Sequence, residues 1–453
     1  MKKENYLGEA PIGKLLIKYS IPAIIGMIVN ALYNVVDRIF IGNIPGVGSI
    51  AMAGLGVTMP IVTILLAFGM LVGVGTSANI SIKLGQGKRD EAEKIIGNAL
   101  TLGLIIGLVL MAIGIIFGDS LLSLFGASEA ALPFAKAYIN IILFGAVFNI
   151  TAFALSSSIR ADGNPQKSAI IMVVGCLANV VLDALFIFGF GWGIEGAAVA
   201  TIISQAITAV WVILYYTKGS SNLKLKKENM KLDFKLVKMI FAIGSAPFAM
   251  QLAASLVQVI SNNTLKIYGG DLAIGAMATI SAIAMMFLMP IFGINQGSQP
   301  IIGYNYGAKK YDRAKKTYLI STAVSIIILL IGFLVIEIFP RTIIGLFNKD
   351  EELMKIAVVG LRTYLGMMPI AAISITGSNY FQSIGSVKKA MILSLLRQII
   401  LLIPLLIILP KSLQLIGVWL AQPVADLLAV SITAVFIVIE FKKYKTLQIE
   451  KSK

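Results

Sequence analysis

The chain has 453 residues, 58% apolar and only 13% charged, with a formal net charge of +16, a mean hydropathy of +0.89, one cysteine and no histidine. Soluble domains run at about 45–50% apolar and 25% charged residues, so a water-covered globule is excluded. A single cysteine excludes an internal disulfide, and the lack of histidine excludes a histidine proton relay or histidine metal ligation.

Read in order, the chain alternates long apolar stretches with short polar connections. Twelve stretches are long enough to cross a hydrocarbon layer of ~30 Å as helices: 14–42, 50–79, 95–117, 133–158, 168–190, 196–217, 236–266, 271–303, 317–339, 353–382, 389–410 and 415–441. The runs are continuous rather than alternating, which excludes a barrel. The longer ones exceed the minimum, so tilt or kinks are expected. Pro22, Pro60, Pro247, Pro290, Pro369, Pro404 and Pro423 are candidate kink positions. The first apolar segment is too long for a secretory signal and has no small-residue cleavage site. The fold class expected is all-α integral membrane, with twelve transmembrane helices in two six-helix lobes.

Charge sets the topology. With the N-terminus inside, Lys2, Lys3, Lys14, Lys18, Lys83, Lys88, Arg89 and Lys94 are cytoplasmic, as are the connections 159–167, 218–238, 304–316 and 383–389 and the tail from Lys442. The opposite side keeps few basic residues, such as Lys136, Lys349 and Lys411. This positive-inside asymmetry places both termini on the cytoplasmic side of the membrane and accounts for the net charge without a nucleic-acid partner.

The chain also repeats itself. At an offset of 222 residues, Gly85-Gln-Gly-Lys-Arg-Asp-Glu-Ala-Glu-Lys94 aligns with Gly307-Ala-Lys-Lys-Tyr-Asp-Arg-Ala-Lys-Lys316, identical at five of ten positions. The same offset pairs Gly75 with Gly297, Gly163 with Gly385 and Lys167 with Lys389. The expected domains are an N-lobe, 1–217, a cytoplasmic linker, 218–235, and a C-lobe, 236–453. Six spans per half is an even number, so the halves share one orientation: a parallel repeat. Such repeats place a transport path at their interface and work by rocking one half against the other.

No phosphate-cradling Walker loop appears, so energy must come from an ion gradient, which needs ionisable groups inside the membrane. Few acids sit well within spans: Asp37 in the first, Asp183 in the fifth and Asp426 in the last, while Glu337 and Glu440 fall at span ends and are read as interfacial. Asp37, Asp183 and Thr201 each lie about six residues from the outer end of their helices, or ~9 Å deep at 1.5 Å per residue. Asn179 is one turn from Asp183 on the same face. Asp37, Asn179, Asp183 and Thr201 therefore reach similar depths with hard oxygen donors, a candidate cation site for H⁺ or Na⁺. Two structural readings stand beside it. Asp37 precedes Arg38 and fits a rim ion pair, while Asn179 and Thr201 fit helix-packing hydrogen bonds. The repeat counterparts of Asp37, Asp183 and Thr201 are approximately Asn262, Leu405 and Gln422. None is acidic, so coupling is expected in the first lobe alone, with Asp426 in a structural pair with Arg397.

Several elements together resemble the multidrug and toxic compound extrusion (MATE) family along nearly the whole chain. They are Val36-Asp37 with Gly42, the Gly85 and Gly307 loops, Arg160-Ala-Asp162-Gly-Asn-Pro165, Asn179-Val-Val-Leu-Asp183 and Gly196-Ala-Ala-Val-Ala-Thr201. The pattern is most similar to the bacterial drug-efflux branch of the MepA type. The resemblance implies a V-shaped pair of lobes exporting amphipathic, often cationic drugs and dyes against inward H⁺ or Na⁺ flow, with no enzymatic activity and no cofactor beyond that ion. It also implies that Asp37, Asn179, Asp183 and Thr201 form the cation site, holding Na⁺ where that is the driver. A second branch uses acids of spans seven and ten. This chain has Gln251, Gln258, Asn262 and Asn263 in span seven and no mid-span acid in span ten.

Adaptable methionines and polar side chains give a weaker reading of the drug cavity: Asn149, Ser156, Met172, Met285, Met289, Asn295 and Gln296. Partners are expected to be small amphipathic molecules and membrane lipids, with the protein a monomer. A flippase for a lipid-linked sugar is the alternative. Buried acids favour cationic drugs over anionic lipid carriers.

Overall fold

The computed structural model describes residues 6–125, 128–347 and 350–452, and Lys2, Lys3 and Lys349 of the charge balance lie outside them. Among the described residues there are helices and connections but no strands. The spans are α1 (Ile12–Gly42), α2 (Gly48–Gly85), α3 (Arg89–Leu124), α4 (Leu132–Ala161), α5 (Pro165–Gly189), α6 (Gly193–Thr217), α7 (Phe234–Gly270), α8 (Leu272–Gly307) and α9 (Tyr311–Ile338). Next comes α10, a helix in two parts, Glu351–Tyr364 and Met368–Ser383, bent by 53° at the break. Pro369, near the start of the second part, has no N–H to carry the hydrogen-bond ladder across that break. Helix then continues from Val387 to Tyr444 except at Gln414, where φ 52 and ψ −136 break it. We treat 387–413 as α11 and 415–444 as α12, which completes twelve spans.

Several helices outrun the apolar stretches. α2 has 38 residues, about 57 Å at 1.5 Å per residue, and its last turn carries Lys83 clear of the apolar run. That end is held by ion pairs from Lys83 to Glu91 at 2.6 Å and from Lys88 to Glu91 at 2.9 Å. The two ammonium groups hold the Glu91 carboxyl down at about 2. Outward-facing aliphatic side chains, such as Ile116 at 71%, Val181 at 66% and Ile267 at 75% exposure, have no partner in water and are suited to lipid.

In lipid, apolar side chains gain little by leaving their surroundings, so close backbone approach carries much of the packing. α4 meets α2 and α3 through glycines: a Cβ on Gly73 would stand 2.7 Å from Phe153, and one on Gly107 2.5 Å from Val147 Cα.

The repeat is visible in the backbone. Gly87 (φ 74) and Lys309 (φ 58) occupy the same left-handed turn position 222 residues apart, as do Gly163 (φ 95) and Gly385 (φ 73). In the first pair of turns Lys88 N donates to Lys83 O over 2.9 Å and Lys310 N to Asn305 O over 2.8 Å. Lys309 accepts a conformation its glycine counterpart takes without strain.

The chain forms two compact units, Ile21–Phe248 and Met1–Ser20 with Ala249–Lys453. The divisions fall inside α1 and α7. Within the first unit, the start of α7 lies on α2: a Cβ on Gly75 would stand 2.1 Å from Ile240 O, and Asn79 Nδ2 donates to Met239 O over 3.1 Å. Within the second, the start of α1 lies on α8 in the same manner. A Cβ on Gly297 would stand 2.6 Å from Ser20 Oγ, and Asn305 Nδ2 donates to Leu7 O over 3.0 Å. This explains why Gly75 and Gly297 fall at the repeat offset.

The connection after α6 is pinned to the first unit. Asp162 accepts from Tyr215 Oη (2.5 Å), Asn222 N (3.0 Å) and Leu223 N (2.8 Å). Asn98 accepts from Asp233 N over 2.8 Å, and Thr101 Oγ1 donates to Met230 O over 2.7 Å. Burial pushes the Asp162 carboxyl up to about 6, against the pull of these hydrogen bonds.

Candidate functional site

The four predicted cation-site residues all lie within the Ile21–Phe248 unit, on α1, α5 and α6. Asp183 is the last α-helical residue of α5 before a π-helical stretch, Ala184–Gly189. Such wide turns concentrate at functional sites because they free backbone groups and re-aim side chains. Asp183 is fully buried, Asn179 nearly so, and Asp37 is 9% exposed. The carboxyl groups of Asp37 and Asp183 lie within hydrogen-bonding reach of each other. One oxygen of each, Oδ1 in both cases, is buried without a hydrogen-bond partner.

Asn179 bridges α5 and α6. With its amide turned so that donors meet acceptors, Nδ2 donates to Asp183 Oδ2 over 3.1 Å and the amide oxygen accepts from Thr201 N over 3.3 Å. In the opposite orientation Nδ2 lies 3.4 Å from Thr201 Oγ1, a longer contact, and we take the first. Thr201 Oγ1 also donates to Ala197 O over 3.0 Å. The structural reading of Asn179 and Thr201 as interhelical hydrogen-bonding residues thus holds alongside their place beside the acids. The rim ion pair does not. Arg38 is exposed, with Met59 Sδ 4.0 Å from Nη2, and among the described residues it forms no ion pair with Asp37.

Two tyrosines complete the arrangement and were not singled out from sequence. Tyr138 on α4 is buried and hydrogen-bonds Thr201. Tyr33 precedes Asp37 by one turn of α1, in the electrostatic neighbourhood of both acids and Cys176. The spacing of Tyr33 and Asp37, i and i+4, was a usable signal. Tyr138 carried none, since nothing local distinguishes it from an ordinary interfacial tyrosine.

The donor set is two carboxylates, an amide, a hydroxyl and two phenols, with no cationic side chain paired to either acid among the described residues. Hard oxygens of this kind suit a proton or Na⁺ rather than a transition metal. Among the described residues no group of three or more His, Cys, Asp or Glu side chains is assembled.

The predicted cavity residues divide between the two units. Asn149, Ser156 and Met172 belong to the first, and Met172 presses on α1, where a Cβ on Gly26 would meet its Cε at 2.2 Å. Met285, Met289, Asn295 and Gln296 belong to the second, on α8. Met285 is 48% exposed, whereas Asn295 is buried with Oδ1 lacking a partner.

The MatE family model matches residues 22–185 and again 247–408. The chain belongs to the MATE family. One match falls in each half of the chain. Among relatives, the Multidrug export protein MepA of Staphylococcus aureus is 28% identical over 427 residues, 92% of each chain. That of Staphylococcus haemolyticus is 27% identical over 448 residues, 98% of each. Among solved MATE-like structures, a MOP superfamily transporter from Pyrococcus furiosus superposes with a TM-score of 0.92 at 25% identity, covering 98% of this chain and 99% of that one.

Proposed function

We propose that this chain exports small amphipathic, often cationic compounds by antiport against H⁺ or Na⁺, with Asp37 and Asp183 carrying the coupling ion. The observation behind this reading is the pair of neighbouring, buried acids on α1 and α5, each with an oxygen that meets no donor. Two adjacent carboxylates repel when both are ionised, so the pair is stable when it shares a proton or holds a cation. Where the ion is Na⁺, the Asn179 amide oxygen and the Thr201 hydroxyl are the neutral donors to hand. Neutralising the pair removes the repulsion between α1 and α5, and Pro22 gives α1 a weak point at which to bend in response. The names of the staphylococcal relatives favour export of drugs over flipping of lipids.

The remaining parts of the reading follow the topology argument. The protein acts as a monomer in the bacterial cytoplasmic membrane with both termini inside, as a transporter without catalytic activity. The lobes 1–217 and 236–453, joined by 218–235, are its repeated parts, and Asn149, Ser156, Met172, Met285, Met289, Asn295 and Gln296 contact substrate.

Purified protein in liposomes, given an imposed ΔpH in one arm and ΔNa⁺ in another, decides the matter. Dye transport driven by one of the two gradients and lost in Asp183→Asn is expected. Gradient-driven transport that survives Asp183→Asn sinks the coupling role, and transport indifferent to both gradients sinks antiport.

A further inference from the structure

A second polar cluster lies inside the other unit, where a broken helix, a helix with a π stretch and α12 supply its side chains. Tyr364 is the last residue of α10 before its 53° break, and its hydroxyl donates to Gln422 Oε1 over 3.4 Å. Gln422 Nε2 lies 3.1 Å from both carboxylate oxygens of Asp426, within α12, where the neighbouring Pro423 has no N–H to donate. Arg397 stands in a π-helical stretch of α11, Leu396–Leu402, with Nε 2.9 Å from Asp426 Oδ1. Arg397 is ten residues into α11, ~15 Å along the helix at 1.5 Å per residue, far from the headgroup region.

The pair is incomplete as a structural device. Guanidinium and carboxylate normally lock through two parallel N–H···O bonds. Here Nε is close to Asp426 but is buried without a hydrogen bond, so its N–H does not point along the contact. The Arg397 side chain is 21% exposed against 7% for Asp426. Broken helices and π turns at mid-membrane depth are tolerated where they line a site and are often found at one. A helix break and a π turn meeting at one ion pair exceed what holding α11 to α12 requires.

We propose that Arg397, Asp426, Gln422 and Tyr364 form a binding subsite for zwitterionic amphipaths, with Arg397 taking the ligand's carboxylate and Asp426 its ammonium group. The charge class follows from the site's own neutrality. Exchanging the internal pair for a ligand that carries both signs leaves no unmatched charge in a low-dielectric interior, whereas a monocation or a monoanion strands one partner. This widens the substrate class and rests on the export reading given above. An anionic lipid headgroup offers related chemistry, but the depth of Arg397 favours a transported solute.

The test compares a rhodamine bearing a free carboxylate with its ethyl ester, measuring binding by fluorescence anisotropy to the full chain in phosphatidylcholine nanodiscs. In the Arg397→Gln/Asp426→Asn double variant, which removes both charges together, affinity for the zwitterion is expected to fall at least about tenfold and affinity for the ester to stay within about twofold. An equal fall for both dyes, or no change for either, overturns the subsite. The exchanged pair Arg397→Asp/Asp426→Arg keeps both charges in reversed positions, so its zwitterion affinity is expected to stay within about threefold of the unaltered protein. An exchanged pair that binds the zwitterion no better than the double variant overturns selection by paired charge. Phosphatidylglycerol nanodiscs form a further arm: zwitterion binding abolished by the anionic lipid assigns the guanidinium to a headgroup and overturns the solute reading. Gradient-driven transport of the ester by the unaltered protein is measured in parallel. Its absence refutes the export reading while leaving the dye-selectivity comparison intact.

Discussion

The polar cluster on α1, α5 and α6 and the one on α10, α11 and α12 sit in corresponding halves of a duplicated chain, yet their charge is arranged in opposite ways. The first holds two acids and no cation; the second holds an acid with its own arginine 2.9 Å away. A cluster of excess negative charge must take up something positive to settle, which makes it responsive to an ion. A cluster that carries its own counter-charge is indifferent to ions and responds only to a ligand that offers both signs. Duplication supplied the same scaffold twice, and a few side chains gave the copies different chemistry.

The comparison is broken most severely at the acids. Asp183→Asn is expected to lower gradient-driven dye transport in liposomes about a hundredfold, equivalent to roughly 2.8 kcal/mol at 1.4 kcal/mol per tenfold, with Asp37→Asn nearly as damaging. Retention of transport in either variant removes that residue from the coupling set.

In the other half, Arg397→Gln alone strands Asp426 and is expected to destabilise the protein by about 3–5 kcal/mol, whereas Arg397→Gln/Asp426→Asn comes back to within about 1 kcal/mol of the unaltered chain. Melting curves in one detergent measure both. A double variant as unstable as the single one shows that the pair is not self-neutralising.

The shared scaffold is tested at its equivalent glycines. Gly75→Ala places a methyl group against the Ile240 carbonyl, where nothing rotates away, and is expected to cost about 3 kcal/mol. Gly297→Ala meets the Ser20 side chain and backbone at longer range, so it should be the milder of the two in the same melts.

Asp162 offers a pH-dependent contrast, since its counterpart at the repeat offset is Ile384. Its carboxyl in the folded protein keeps a proton up to about 6, well above the ordinary value of 3.8. Between those limits the folded state binds more protons than the unfolded one, so this group's contribution to stability rises as pH falls from 6 towards 4. Asp162→Asn is expected to remove that slope, roughly 2 kcal/mol across the window, in melts at pH 4.5, 5.5 and 7. An unchanged slope assigns it to another group.

The smallest effect is at Glu91. Its partner Lys88 is exposed and Lys83 half-buried, with Glu91 itself partly in solvent, so Glu91→Gln should cost about 1 kcal/mol and less in high salt. Its counterpart Arg313 instead donates to Ala10 O over 2.6 Å. Arg313→Gln should therefore loosen the chain's first helical turn, read as faster amide exchange over 6–12.

Much of this was legible in the sequence because membranes simplify the problem. Apolar length alone located the spans, and the offset of 222 located the repeat down to the paired turns at Gly87 and Lys309. That Asp37 and Asp183 lie together was legible because an acid in hydrocarbon is rare enough to stand out, and Asn179 and Thr201 followed from helical spacing and depth. What stayed hidden depends on tertiary geometry. Tyr138 acts through a contact with another helix, and the π turns beside Asp183 and Arg397 have no period to announce them. The apolar pattern also ended α2 at residue 79, although the helix runs to Gly85 because ion pairs, rather than lipid, sustain its final turn. The connection after α6 read only as a cytoplasmic linker, yet buried Asp162 and Asn98 hold it in place through backbone N–H groups no sequence pattern reveals.

The exchange of helix ends, with Met1–Ser20 counted in one unit and residues up to Phe248 in the other, carries a consequence for ancestry. A lone six-helix chain with this packing has a Gly75-type notch on its second helix and a matching start to its first helix, which in this arrangement fills the notch of the other copy. Two copies fill each other's notches by trading their first helical turns, the arrangement of a domain-swapped dimer. A gene fusion of that dimer converts a concentration-dependent exchange into an intramolecular one, because the tether keeps each missing piece always within reach.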